Sequence, residues 1–200
     1  MDEEISTRDR IVRAATRLFQ LKGYHATGLN EILRESNAPK GSLYYYFPNG
    51  KEELALESIE LTKVFVEETI RKRLSMIEDP AESIKNAIQE MADFIDMAEN
   101  EKISLRSTKK VSVNLVALET SSSNENLRKA CESAFDAWQN VYAGKLIQGG
   151  FTKQEAKKLS MVIQSMIEGA IVMSLTKKSD VPFFEVAEVI PSILKLENKN

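Results

Sequence analysis

Residues 27 to 47, TGLNEILRESNAPKGSLYYYF, leave the chain little choice of local structure. Thr27 is a good N-cap, because its hydroxyl can accept from the free N–H groups of a first helical turn. Leu29, Ile32 and Leu33 then form an apolar stripe at helical spacing. Asn37 tolerates the left-handed backbone of a sharp turn. Pro39 suits the first turn of a new helix, where its missing N–H costs nothing. Pro48 closes that second helix, and Asn49-Gly50 turns the chain away. Leu43 and Phe47, four apart, give the second helix a buried face. The rest is a cation, Lys40, then Gly41, the hydroxyl of Ser42 and three phenols, Tyr44, Tyr45 and Tyr46. A helix that only had to fold would surround its apolar stripe with Glu and Lys. Two short helices around a tight turn, the second polar, match a helix-turn-helix that sends its second member into the major groove of DNA. The alternative is an ordinary helical hairpin with exposed tyrosines.

Charge favours the first reading. Residues 5 to 51 carry eight Lys/Arg against three acids, Asp9, Glu31 and Glu35. That is +5 in a chain of net charge −3, so the remainder holds −8. A basic head on an acidic body is the electrostatic footprint of a nucleic-acid contact.

The run GYHATGLNEIL followed by APKGSLYYYFPNGKEEL resembles the N-terminal domain of the TetR family of bacterial transcriptional repressors. The family pattern is a first helix ending in Gly-aromatic, a Thr-capped second helix, and a third of the form Lys-Gly-Ser/Thr-Leu-Tyr-x-x-Phe. Gly23, Tyr24, Thr27, Ile32, Lys40, Gly41, Ser42, Leu43, Tyr44, Phe47 and Lys51 fall on it. Asn37 and Pro39 stand where members usually have Gly and Ser. Pro-Asn-Gly replaces two residues before Lys51, which is similar to a subgroup answering to lincomycin-type drugs and flavonoids. The resemblance implies an all-α fold with an N-terminal helix-turn-helix domain, residues 1–50 with the motif at 28–47. A C-terminal helical domain, 51–200, would bind an effector and form dimers, helix four (51–77) connecting the two. Thr27, Lys40, Gly41, Ser42, Tyr44, Tyr45 and Lys51 would contact the DNA.

The remaining pattern gives about nine helices. Ser6 with Asp9 caps the first, which closes at Gly23. Asn49 with Glu52 opens the fourth, and Asp79-Pro80 with Glu82 a fifth, whose buried face is Ile84, Ala87, Ile88, Met91 and Ile95. Residues 99 to 110 read as a polar loop. VSVNLVAL (111–118) alternates like a strand but would have no partner, so a short helix is expected. Ser122 with Glu125 caps the seventh helix, which stops at Gly149-Gly150. Thr152 with Glu155 makes a capping box for the eighth, and Asp180 and Pro182 open the ninth, which Pro191 should kink.

Enzyme chemistry has little to work with. The chain has one histidine, His25, and one cysteine, Cys131. A His-paired nucleophile or a multi-His metal site would have to use that single pair. Phosphate-loop and dinucleotide fingerprints are absent from the sequence. The expectation is a non-enzyme with no catalytic residues, no cofactor and no metal. His25 reads as a surface or capping residue near the DNA backbone, and Cys131 as a small buried hydrophobe rather than an oxidant sensor. The longest apolar run, Met161 to Leu175, contains Gln164 and Glu168 and falls short of the ~18 apolar residues of a membrane span. The acidic start MDEEIS is unlike a secretory signal. A lone cysteine fits a reducing compartment, so a cytoplasmic protein without membrane contact is expected.

Phe65, Met91, Phe94, Phe135, Trp138, Tyr142, Met161 and Met166 fall inward on helices four to eight. Met and aromatic side chains at helical spacing suit either a core or a cage for flat molecules. In the family a cavity between these helices takes a small, usually apolar or aromatic effector. The eighth and ninth helices are apolar around too much of their circumference for one monomer face, and Ser165, Gly169 and Ser174 would let another helix approach closely. The resemblance implies a homodimer through these two helices. The expected function is therefore a repressor that leaves a palindromic operator on binding an effector. The rivals are a helical small-molecule-binding protein without DNA function and a small helical enzyme.

Overall fold

The computed structural model describes residues 6–99 and 112–197, and among them the protein is all-α, with no strand. Its nine described helices are α1 (Thr7–Ala26), α2 (Leu29–Ser36), α3 (Lys40–Tyr46), α4 (Lys51–Leu74), α5 (Pro80–Glu99), α6 (Ser112–Thr120), α7 (Glu125–Gln148), α8 (Lys153–Lys177) and α9 (Val181–Glu197). The loop expected after α5 lies outside the described residues, as do the side chains of Phe94 and Ile95. VSVNLVAL is a helix, α6, in line with the argument that a lone strand would lack a partner.

Helix starts follow short polar side chains, though not always those the sequence nominates. Ser6 accepts from the Asp9 N–H at 3.1 Å. Asp79 accepts from the Glu82 N–H at 2.8 Å. Thr152 and Glu155 form the full reciprocal box. Three expectations need correction. Thr27 does not cap α2: its buried hydroxyl donates back to the Gly23 carbonyl at 2.7 Å, and Gly28 takes the N-cap position without a side-chain bond. The carboxylate that reaches back to Asn49 N–H is Glu53, at 3.0 Å, not Glu52. Asn124, rather than Ser122, caps α7 by accepting from the Leu127 N–H at 3.0 Å. In the last two cases a nearer or better aimed polar group displaces the nominated one, and in the first the Gly23 carbonyl takes the hydroxyl. Gly23 interrupts α1 at φ +80°, so the expected stop is a break three residues before the helix ends. α9 continues through Pro191 as one element.

The described residues gather into two compact units. Among the described residues the first joins 6–64 with 112–134, so the segment holding the helix-turn-helix shares its unit with α6 and the first turns of α7. α1 is its axis, packing against α2, α3 and α6. Ile11, Ala15, Ile32, Leu43, Phe47 and Leu54 are fully buried there. Cys131 belongs to this core; burial pushes its thiol up to about 11, so little reactive thiolate exists at neutral pH.

The second unit takes α4 from Phe65 onward, α5, α7 from Phe135, α8 and α9. α9 packs on α5 and α8 around Ile84, Ile88, Ile163, Ala187 and Ile190. A Cβ on Gly149 would lie 2.5 Å from the Pro80 ring, so the end of α7 needs glycine to meet the start of α5. α8 is long and apolar enough to cross a membrane by composition, contrary to the sequence estimate. Its apolar residues divide between a buried face (Leu159, Ile163, Ile167, Ile171) and an exposed stripe (Met161, Val162, Val172, Met173). Ser174 does not belong to that stripe, being fully buried.

Thr152 holds the first turn of α8 from both sides of the box. Thr152→Ala should lower unfolding free energy by about 1 kcal/mol, the usual worth of such a cap, read by urea denaturation with circular dichroism.

Candidate nucleic-acid interface

α3 is seven residues long and stands on one of them, Leu43, and on its C-cap, Phe47. Leu43 and Phe47 are completely buried, and the Arg8 guanidinium lies 5.3 Å over the Phe47 ring. Asn37, at φ 49°, provides the left-handed residue of the turn, and Pro39 sits one position before the helix in extended conformation. With Leu43 and Phe47 inward, Lys40, Gly41, Tyr44, Tyr45 and Tyr46 point out, and Ser42 is half-buried. Tyr44 is 50% exposed and Tyr45 80%, a large cost for rings that could have been replaced by solvated side chains. Tyr45 and Tyr46 meet edge to face at 5.0 Å.

The formal charge of the head overstates the charge it has free. Arg8 pairs with Glu57 at 2.7 Å, Arg17 with Glu35, and Lys22 with Glu31 at 2.5 Å; Glu31 also has Arg34 at 3.8 Å. Lys40 is exposed and has no ion pair among the described residues. That leaves it available to a phosphate or a base edge.

Two of the residues nominated for DNA contact are occupied within the protein. Thr27 is buried by its bond to Gly23. Lys51 lays its ammonium 4.5 Å from the centre of the Tyr24 ring and donates to the His25 carbonyl at 3.3 Å. Desolvation there pushes the Lys51 ammonium below its ordinary value, against the opposing charge of Glu119. His25 is exposed, with Nε2 3.2 Å from the Glu119 carbonyl oxygen.

Sequence reasoning missed Glu119 altogether. From α6 its carboxylate accepts the Tyr24 N–H at 2.5 Å and the His25 N–H at 3.1 Å. The approach works because Gly23 has no side chain: a Cβ there would sit 2.2 Å from the carboxylate. A second carboxylate, Glu52 at the start of α4, accepts from the side-chain amides of Asn124 and Asn126, both at 2.9 Å, and these bonds hold its pKa down. The two clamps fix the break before α2 and the start of α4, the segments on either side of α2 and α3. No local pattern announces them, since the partners lie 95 and 72 residues apart.

The nominated effector residues are placed in the second unit. Met91, Trp138 and Tyr142 are buried, Phe65, Phe135 and Met166 half-buried, and Phe135 meets Trp138 edge to face at 5.5 Å. Met161 does not fall inward: it is 53% exposed on the outer stripe of α8, because the helix turns Ile163 and Ser160 to the core. A cleft of about 150 Å³ between the ends of α4 and α7 is lined by Arg71, Leu74, Ser75, Asn140, Val141, Gly144, Lys145 and Gln148 and touches none of these nominees.

Lys40→Ala and Tyr44→Phe should each weaken operator binding by about 1–3 kcal/mol with unchanged helicity, measured by electrophoretic shift and circular dichroism. Gly23→Ala adds a left-handed penalty of roughly 1–2 kcal/mol to the clash with Glu119, so its melting temperature should fall well below that of the parent.

Comparison with known proteins places both parts. The model for bacterial regulatory proteins of the tetR family matches residues 11–57, and that for the C-terminal domain of LmrA/YxaF-like transcriptional regulators matches 80–189. The chain is 46% identical over 189 residues to the uncharacterized HTH-type transcriptional regulator YxaF of Bacillus subtilis, covering 94% of this chain and 95% of that one. It is 43% identical to the HTH-type transcriptional regulator LmrA of the same organism, over 94% and 97% of the two chains. In fold it is similar to the regulatory protein TetR from Rhodobacter sphaeroides, with a TM-score of 0.78 at 18% identity over 92% and 96% of the chains.

Proposed function

The chain belongs to the TetR family of transcriptional regulators, close to LmrA and YxaF, and we propose that it is a homodimeric repressor released from a palindromic operator by a small apolar or aromatic effector. The observation that carries the DNA-binding part is the outer face of α3, where Lys40, with no ion pair among the described residues, stands beside the exposed rings of Tyr44 and Tyr45. Lys40 reaches a base edge or phosphate and Tyr44 donates to a phosphate, while Gly41 and Ser42 let the backbone come close. Lys51 and Thr27 then act from behind, holding the head in shape.

One seven-residue helix reads only a few base pairs, so two copies are needed. The exposed stripe of α8 (Met161, Val162, Val172, Met173) and Val181, Phe184 and Val189 of α9 supply an apolar face of the kind that marks a protein interface. Ser165 and Gly169 are exposed among them, and a Cβ on Gly169 would meet open space. Two reading helices on a two-fold axis must match a half-site separation of about 34–36 Å. An effector held among Phe65, Met91, Phe135, Trp138, Tyr142 and Met166 acts by favouring an arrangement that misses this separation.

The test is an electrophoretic shift with the DNA upstream of the chain's own gene, run with flavonoids and lipophilic drugs while Trp138 emission is followed. Coincident midpoints for emission change and release support the proposal. Ligand binding without any shift favours the helical binding protein without DNA function. Operator affinity should also fall with salt, by about −0.9 in log–log slope per phosphate contact.

Gly169→Arg should leave the fold intact, because its side chain points into open space, yet convert the dimer to a monomer with weak operator binding. Sedimentation velocity reads the first effect and the shift assay the second.

A further inference from the structure

At one place in the second unit four helices bring polar side chains together. Arg73 from α4 pairs with Glu90 from α5 at 2.9 Å. On α8, Gln164 donates through Nε2 to Glu168. From α7 comes Tyr142, whose phenol feels the charges of both Glu168 and Arg73. Tyr142 is completely buried and Gln164 is 6% exposed. The Tyr142 Oη and the Gln164 Oε1 are buried with no hydrogen-bond partner. Buried polar atoms are almost always paired, and an unpaired one is costly. Phenylalanine at 142 would give the same packing without that cost.

Resting on the reading of this unit as the effector receptor, we propose that Tyr142 Oη and Gln164 Oε1 anchor an effector without negative charge through a hydroxyl or amide N–H on a planar body. The donor arithmetic selects the class. Gln164 Oε1 can only accept, its Nε2 being already committed to Glu168. Tyr142 Oη can donate or accept. A single ligand hydroxyl satisfies both by donating to Gln164 and accepting from Tyr142. An ether or a bare hydrocarbon cannot donate to Gln164. An anion would face both Glu90 and Glu168, with Arg73 paired to the first and only the neutral Gln164 amide on the second. Trp138, one helical turn before Tyr142, and Phe135, packed edge to face on it, supply flat apolar surface on the same helix.

Two matched pairs test this by calorimetry: 2-naphthol against naphthalene, and 4-hydroxybiphenyl against biphenyl. The wild-type protein should prefer the hydroxyl member of each pair by roughly tenfold or more. Tyr142→Phe and Gln164→Met should each bring that preference to within about twofold. The free Tyr142→Phe variant should melt no lower than wild type, within about 2 °C, since it removes only an unpaired polar atom, whereas Gln164→Met also loses the bond to Glu168. A fall of several degrees in Tyr142→Phe would mean that its hydroxyl is already bonded and overturns the proposal. So does equal binding within each pair, or no binding of any of the four compounds. Operator release is measured with the same compounds. Selective binding that depends on Tyr142 but leaves the operator bound keeps the anchor and overturns the repressor-release reading instead.

Discussion

A helix of seven residues has no stability of its own; isolated helices below ~12–15 residues are marginal in water. α3 exists because Leu43 and Phe47 are driven under it, into a core whose axis is α1. Complete burial of those two side chains contributes about 3–6 kcal/mol before entropy is counted, and it fixes the rotation of the helix. Once Leu43 and Phe47 face inward, Lys40, Gly41, Tyr44 and Tyr45 must face out. The outer face of α3 is thus a consequence of hydrophobic packing, and its polar residues need contribute nothing to the fold.

Electrostatics then separates structural cations from available ones. Arg8, Arg17 and Lys22 each have a carboxylate, and Lys51 is folded on Tyr24. Exposed pairs of this kind are worth little in stability, but they set where free positive charge is found. Lys40 is exposed, with no ion pair among the described residues. Glu119 and Glu52 do a different job, tying α6 and the start of α7 to backbone and side chains on either side of the reading helices. Motion of α6 would be felt at Tyr24 and His25 through the hydrogen bonds of Glu119 as well as through the packing of α6 on α1.

In the second unit the same apolar character serves two ends. Its inward half makes a core in which Tyr142 and Gln164 stand out as polar exceptions, and its outward half on α8 and α9 is a surface. Composition alone cannot tell these halves apart, which is why α8 passes for a membrane helix by length and hydropathy. The division depends on which residues meet α9 and which meet solvent.

The sequence by itself determined the helical class, the helix-turn-helix and its buried pair, because period, turn residues and capping act over a few residues. The Thr152–Glu155 box, the Asp79 cap and the stop at Gly149-Gly150 were legible for the same reason. Local competition already blurred the reading at Thr27, where a carbonyl four residues back outbid the expected N–H groups. Met161 and Ser174 were misassigned because periodicity shows that a helix has faces and leaves open which one is covered. Glu119, Glu52 and the convergence of Arg73, Tyr142 and Gln164 were decided only by tertiary structure. Each joins residues dozens of positions apart, and a carboxylate on a helix looks the same in sequence whether it faces water or a backbone N–H.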